Sequence, residues 1–196
     1  DCGGFYGSKV WGSNTKYRRT VWRCNNKYNW DKPCQTPHVT EDDIKQRFLT
    51  AFNMLIGNRN EILANCRLAQ EVLCNCTEID AELKELQREI DVVAELLRKA
   101  VYENARIAQN QDEFNERNNR YWERHRKATE RFNQLEEMKR ERQAKSLSLG
   151  TFIRELESSP SVVEEFDERL WAVAVDKVTV TKDGKLHFRF KDGTEV

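Results

Sequence analysis

Residues 1–38 read "DCGGFYGSKVWGSNTKYRRTVWRCNNKYNWDKPCQTPH". Cys2, Cys24 and Cys34 stand there among glycines, asparagines and prolines, the setting in which turns present thiolates to a structural zinc ion. A tetrahedral site takes four donors, and this stretch holds three cysteines. Three accounts stay open at this point. The thiols are unrelated; or His38 completes the set; or the set begins with a Cys-x2-Cys knuckle whose first cysteine would lie two residues before Asp1. The chain starts at Asp1 rather than Met, and the third account explains that as well. Glycine after Cys2 suits a knuckle, in which backbone amides turn toward the sulfurs. A ribbon so poor in aliphatic residues would depend on metal to fold.

Between Cys2 and Cys24 lies "GSKVWGSNTKYRRTVWRC", with alternation that reads as short strands and turns. Residues 1–34 carry Lys9, Lys16, Arg18, Arg19, Arg23, Lys27 and Lys32 against Asp1 and Asp31. Cations interleaved with Trp11, Tyr17 and Trp22 are what a nucleic-acid contact needs. Lysine and arginine displace counterions from phosphates, and arginine also reads guanine edges. The expected contact set is Lys9, Lys16, Arg18, Arg19, Arg23 and Lys27, with Trp11 and Tyr17 beside them. The bland alternative is a solvated hairpin whose aromatics form a small core of their own.

The bulk properties bound the rest. The chain has 196 residues, 38% hydrophobic and 34% charged, with a mean hydropathy of −0.84 and no net charge. That is too polar for one compact globule and suits a small folded unit carrying long solvated helices. No apolar run approaches membrane-spanning length, and no signal-peptide pattern is present. Six cysteines at these spacings, in so helical and charged a chain, do not resemble a secreted disulfide scaffold. A reducing, cytoplasmic compartment is expected.

"TEDD" at 40–43 marks a helix start, with Thr40 as N-cap and Asp43 in the capping-box position. Ile44, Phe48, Ala51, Phe52 and Leu55 then form the stripe of a helix with one buried face. A second helix runs from Asn60 to about Cys74. "TEID" at 77–80 opens a third, whose Ile79, Leu83, Leu86, Ile90, Val93, Leu97 and Ala100 repeat at a 4-3 spacing. Phe114, Asn118, Tyr121, His125, Ala128, Phe132 and Leu135 continue it. The phase is compatible with one long dimerising helix or with an antiparallel hairpin. Composition favours the hairpin. Asn104, Asn110, Asn115, Asn118 and Asn119 cluster where the tip would be, and Asn110 or Asp112 can cap the returning helix. The arms also carry opposite net charge, −4 over residues 77–112 and +3 over 113–145.

From Ser146 onward the chain reads as two short helices and a β-hairpin. Pro160 ends the first helix, and Ser159 or Ser161 caps the second. In "DKVTVTKDGKLHFRFKDG", Val178 and Val180 face Leu186, Phe188 and Phe190 around Asp183–Gly184. The apolar face of that hairpin needs cover, and the helix of residues 40–56 is the nearest candidate. The expected fold class is therefore α+β. A zinc ribbon with following helices (1–76) and a C-terminal segment with a β-hairpin (146–196) form one domain. An antiparallel coiled-coil arm (77–145), with its tip near 104–113, interrupts it. Cys66, Cys74 and Cys76 lie in a helical stretch or at its end, where Cys66 shares a face with Leu63 and reads as a buried thiol. His38, His125 and His187 are scattered, and no catalytic constellation is found.

The combination "DCGGFYGSKVW…KYRRTVWRCNNKY…CQTPHVTEDDIKQRFLTAFN", a long helical hairpin and "VDKVTVTKDGKLHFRFKDG" resembles the C-terminal part of large serine recombinases, the integrases of phages and conjugative elements. In that family the ribbon opens with Cys-x2-Cys, and this sequence shows only the second half of that knuckle. The resemblance implies zinc held by Cys2, Cys24 and Cys34, with a fourth cysteine upstream of Asp1. It implies double-stranded attachment-site DNA as the ribbon's partner. It further implies an arm that contacts other subunits of the recombinase through its tip, with Tyr102, Arg106, Ile107 and Phe114 as the expected tip residues. A directionality factor would bind there too. The catalytic serine domain of such a protein is not in this chain. The competing expectation is a scaffold protein with a continuous dimeric coiled coil and no role on DNA.

Overall fold

The computed structural model describes residues 2–28 and 31–196. The elements run β1 (Tyr6–Trp11), β2 (Arg19–Cys24), a 3-10 turn (Asn25–Tyr28), β3 (Val39–Thr40), α1 (Glu41–Gly57), α2 (Arg59–Leu73), α3 (Thr77–Arg106), α4 (Gln111–Ser158), α5 (Glu168–Ala174), β4 (Val175–Val180) and β5 (Leu186–Phe190). The fold is mixed α+β. Two compact units result, one from residues 1–69 and 148–196, the other from residues 70–147.

In the first unit, β1 and β2 pair antiparallel in a register that sets Tyr6 opposite Cys24 and Trp11 opposite Arg19. The short β3 joins β2 through Val21↔Thr40 and Trp22↔Val39. The chain then enters α1 as the capping pattern predicts: the Thr40 hydroxyl accepts from the Asp43 amide at 3.2 Å. Three acids follow in the first turn, where they face the positive end of the helix dipole. The α1 stripe buries Phe48, Ala51, Phe52 and Leu55. Its cover is the C-terminal hairpin, as expected. Phe48 lies 6.3 Å from Phe188 and Phe52 6.2 Å from Phe190, ring centre to ring centre. Trp171 of α5 stacks edge-on against Phe48 at 5.1 Å. Val178 pairs with Phe188 and Val180 with Leu186, so the alternating apolar residues of β4 and β5 share one face.

Two expectations for the C-terminal segment fail. The first of its two short helices is the end of α4, which continues through Ser146 and Gly150 to Ser158. One glycine among small polar residues weakens a helix without stopping it. The apolar stripe re-forms as Leu149, Phe152, Ile153 and Leu156, all buried. The cap of the second helix is Asp167, whose carboxylate accepts from the Leu170 amide at 2.7 Å, and neither Ser159 nor Ser161. The Ser159 hydroxyl instead donates back to the Glu155 carbonyl at 2.7 Å, inside the last turn of α4.

The second unit is an antiparallel helical hairpin. α3 ends at Ile107, whose extended backbone breaks the helix, and Asn110 starts α4 by accepting from the Asp112 amide at 2.9 Å. A single helix through Gln109 is excluded by this reversal. Ile79, Leu83 and Leu135 form a buried cluster, with Leu86 and Phe132 packed against it. Three ion pairs cross between the helices, Arg124–Glu89, Arg131–Glu82 and Lys139–Asp80. The acidic α3 thus meets cations of α4 in a fixed antiparallel register. These pairs are partly exposed, and each adds little to stability. Among the described residues, no helix is long and apolar enough to cross a membrane.

Candidate metal centre and nucleic-acid interface

The turns at the ends of the β1–β2 hairpin decide where the thiols go. Gly3 takes a left-handed conformation (φ 71°), which turns the Gly4 amide onto the Cys2 sulfur at 3.4 Å. Gly4 itself has no room for a side chain. A Cβ there would sit 2.6 Å from Asn26 Nδ2 and 3.0 Å from Cys24 Sγ. β2 ends on Cys24, and the 3-10 turn that follows brings the Asn26 amide to its sulfur. Cys34 receives the Thr36 amide in the same way, and the Thr36 hydroxyl lies 3.0 Å from its sulfur. Each thiol therefore takes a backbone N–H from the residue two positions on.

The three sulfurs all lie within 4.8 Å of one another, with Cys2 and Cys24 at 3.4 Å. Zinc–thiolate bonds of about 2.3 Å at tetrahedral angles place sulfurs roughly 3.8 Å apart, so the cluster has the size of one face of a zinc–thiolate site. The electrostatics point the same way. Burial pushes the Cys24 thiol up, whereas the hydroxyl and amide of Thr36 hold the Cys34 thiol below its ordinary value. Three thiolates this close repel one another, and a divalent cation at their centre offsets that repulsion. The donor set fits zinc. Such an ion would act as a cross-link between the start of the chain, the end of β2 and the loop before β3.

His38 does not belong to the cluster. Its ring packs edge-on against Trp11 at 5.2 Å, and among the described residues no fourth metal-binding group joins the three sulfurs. Of the three open accounts, the one in which His38 completes the set does not hold. Burial, with Lys27 and Arg23 adding to it, depresses the basicity of its imidazole. Cys66 is buried in α2, where desolvation pushes its thiol up to about 11, as suits a packed thiol. Cys74 and Cys76 are half-buried at the turn before α3.

Several supporting residues had no visible signal in the sequence. Thr36 is 2% exposed and serves the Cys34 sulfur. Tyr6 donates its hydroxyl to the Pro37 carbonyl at 2.8 Å, and Lys27 donates to the Thr36 carbonyl at 2.8 Å. Both hold the Cys34 loop against the hairpin. Lys27 thereby works for the thiol loop.

The strand register puts Lys9, Trp11, Arg19 and Arg23 on one face of the hairpin, around the buried Val21. The Arg19 guanidinium sits over the Trp11 ring at 5.8 Å, and Arg23 over Tyr28 at 4.7 Å. Lys16, Tyr17 and Arg18 belong to the exposed loop between the strands. Gly12 (φ 63°) bends the chain into it, and its carbonyl accepts from the Thr15 amide at 2.9 Å. Lys16 lies 5.3 Å from the Tyr17 ring, which is 73% exposed. The loop tip and strand face together present stacked cation–aromatic pairs to solvent, a surface suited to phosphates and bases.

At the far end of the helical hairpin, Tyr102 and Ile107 are exposed, Arg106 is hydrogen-bonded to the Tyr102 hydroxyl, and Phe114 is half-buried. Asn104, missed by the sequence reading as a structural group, accepts from Gln109 at 2.8 Å and from Gln111 at 3.0 Å. Arg117 joins this network through Gln109. The tip is thus a shaped polar turn that exposes Tyr102 and Ile107.

Residues 1–53 match the family model described as the recombinase zinc beta ribbon domain. The match covers both strands, all three clustered cysteines and most of α1. It supports a recombinase-associated chain with a zinc-ribbon region at this end, and residues 54–196 lie outside it. No curated protein and no solved structure matches the chain.

Proposed function

We propose that the chain is the non-catalytic, C-terminal DNA-binding and synapsis part of a large serine recombinase. The observation that carries this reading is the coincidence, inside the matched residues 1–53, of a three-thiol cluster with a cation–aromatic hairpin surface. The ribbon binds one part of an attachment-site half on double-stranded DNA. Zinc is held by Cys2, Cys24 and Cys34 together with a fourth donor. The metal anchors both ends of the β1–β2 hairpin and so fixes the angle at which the 12–18 loop meets the duplex.

The arm, residues 77–145, is a coiled coil that engages other subunits through Tyr102, Arg106, Ile107 and Phe114. Those contacts bear on whether the recombinase integrates or excises, and a directionality factor acts on the same arm. A cytoplasmic site in a bacterial host follows from that role. The ribbon and the C-terminal segment, 1–76 and 146–196, form the DNA-binding domain into which the arm is inserted.

The test is a gel-shift titration of the zinc-loaded chain against duplex DNA over a range of salt. The Arg18→Ala/Arg19→Ala double variant should weaken binding and flatten the dependence of log K on log salt by about 1.8, since each neutralised phosphate contributes about 0.9. Equal binding by variant and wild type would remove the loop from the interface. No duplex binding by the wild type would remove the function.

A further inference from the structure

Cys2 and Cys24 are close neighbours with unequal access to solvent. Their sulfurs are 3.4 Å apart, and the two residues differ sharply in access to solvent. Cys24 is 1% exposed at the end of β2, whereas Cys2 is exposed. The Gly4 amide lies 3.4 Å from the Cys2 sulfur, and the Asn26 amide group 3.9 Å from it. Cys2 is followed by Gly3 and Gly4, so its backbone adjusts easily. Cys34, the third thiol, is buried, hydrogen-bonded to Thr36 and tied down by Lys27 and Tyr6 through the neighbouring carbonyls. One sulfur of the cluster is open to attack and movable, one is shielded beside it, and one is fixed.

We propose that Cys2 and Cys24 form an oxidation-sensitive pair that releases the ribbon's metal when a hydroperoxide reaches the exposed thiol. This rests on the zinc reading given above. The Cys2 thiolate attacks the outer oxygen of hydrogen peroxide. An S–O bond forms, the O–O bond breaks, and the leaving hydroxide takes a proton to become water. The Cys24 thiolate then attacks the Cys2 sulfur. An S–S bond forms, the S–O bond breaks, and a second water leaves. Two thiols and one peroxide become one disulfide and two waters. Two of the four donors are then lost, and Cys34 with one further donor holds a divalent ion far more weakly. The loop of residues 31–38 loses its anchor to β2, and the surface built from Arg19, Arg23, Trp11 and His38 loses its support. A thiol reductant returns the two sulfurs and allows the metal to rebind.

The experiment uses the full chain loaded with zinc. Metal content before oxidation tests the zinc reading by itself, and a chain that takes up no zinc overturns that reading. Hydrogen peroxide is then added, with released zinc followed by a chromophoric chelator and the disulfide located by peptide mapping. The expected result is zinc release in equal amount to a Cys2–Cys24 disulfide, reversed by dithiothreitol. In the Cys2→Ser variant no such disulfide forms, and far-UV circular dichroism confirms that its helices persist. A zinc-loaded chain that keeps its metal under peroxide overturns the proposal while leaving the zinc reading intact. So does a disulfide that joins Cys34, or one confined to Cys66, Cys74 and Cys76.

Discussion

The ribbon and the helical hairpin reach order by opposite means. In the hairpin, the sequence repeats one decision many times: an apolar residue every third or fourth position, with Ile79, Leu83, Val93, Leu97, Ala100, Ala128 and Leu135 all buried. No single contact is decisive, and burial along the whole seam supplies the stability. In the ribbon, Val21 and Val39 are the only buried aliphatic residues before α1 among those described, beside Cys24, Cys34 and Thr36. A hairpin extended only by the two-residue β3, with that little core, is marginal in water. The ribbon therefore concentrates its stability in a few sulfurs and the amides that point at them. Distributed order is robust to single changes, and concentrated order is switchable.

The sharpest way to break the comparison is to remove the metal from the zinc-loaded chain with a strong chelator. Backbone amides of residues 6–28 should lose their protection from hydrogen exchange, while those of α3 and α4 within 77–145 keep theirs. A Cys34→Ser variant should behave as the chelated chain does. Retained protection in β1 and β2 would show that the strands carry themselves, and the contrast would fail.

The next effect belongs to the hairpin. Leu135 is 2% exposed inside the Ile79–Leu83 cluster, and Leu135→Ala should cost about 2–5 kcal/mol of hairpin stability in denaturant unfolding. Zinc affinity should not change. A parallel loss of zinc affinity would mean that the two kinds of order are coupled.

How much of this was legible in sequence follows the same division. The hairpin was readable because periodicity is a repeated signal: the seam, the reversal near Asn104–Asn115 and the cap at Asn110 all stand in the pattern. The Thr40 cap and the hairpin around Asp183–Gly184 were readable too, since each is a local rule. The end of α4 was not. Ser146 to Gly150 looks like a break, and only the buried face of Leu149, Phe152 and Leu156 keeps the helix going. In the ribbon the cysteines were visible, but their supports were not. Nothing in the types or spacing of Thr36, Tyr6 and Asn26 marks them as sulfur or loop partners, because those contacts depend on where three turns meet. His38 was the weaker of the candidate fourth ligands by its spacing from Cys34, and Trp11 claims its ring instead.

A smaller effect sharpens the ribbon's side. Gly4→Ala places a methyl against Asn26 and Cys24. The Asn26 side chain can swing away, but the Cys24 sulfur is fixed in place. Zinc affinity, measured by competition with a chelator of known strength, should fall about 10–100-fold, the range seen when ligand-supporting contacts are disturbed. Unchanged affinity would show that the tight approach at Gly4 is not needed to form the site.

The smallest effect tests whether charge or burial sets the hairpin. Arg124 and Glu89 pair across the two helices, with side chains 51% and 32% exposed. Water screens such a pair, and ordering two long side chains offsets most of what the attraction gains. Exchanging the two charges, Glu89→Arg with Arg124→Glu, should leave the thermal midpoint of the hairpin nearly unchanged, and Arg124→Glu alone should lower it slightly by setting two acids side by side. Salt should erase even that difference. The apolar seam, by contrast, is indifferent to salt, so a charge exchange that unfolds the hairpin would mean that ion pairs hold its register. The buried spacing from Ile79 to Ala100 argues that they do not: a slip of one residue would turn that whole row out of the seam, at far greater cost than any exposed pair can oppose.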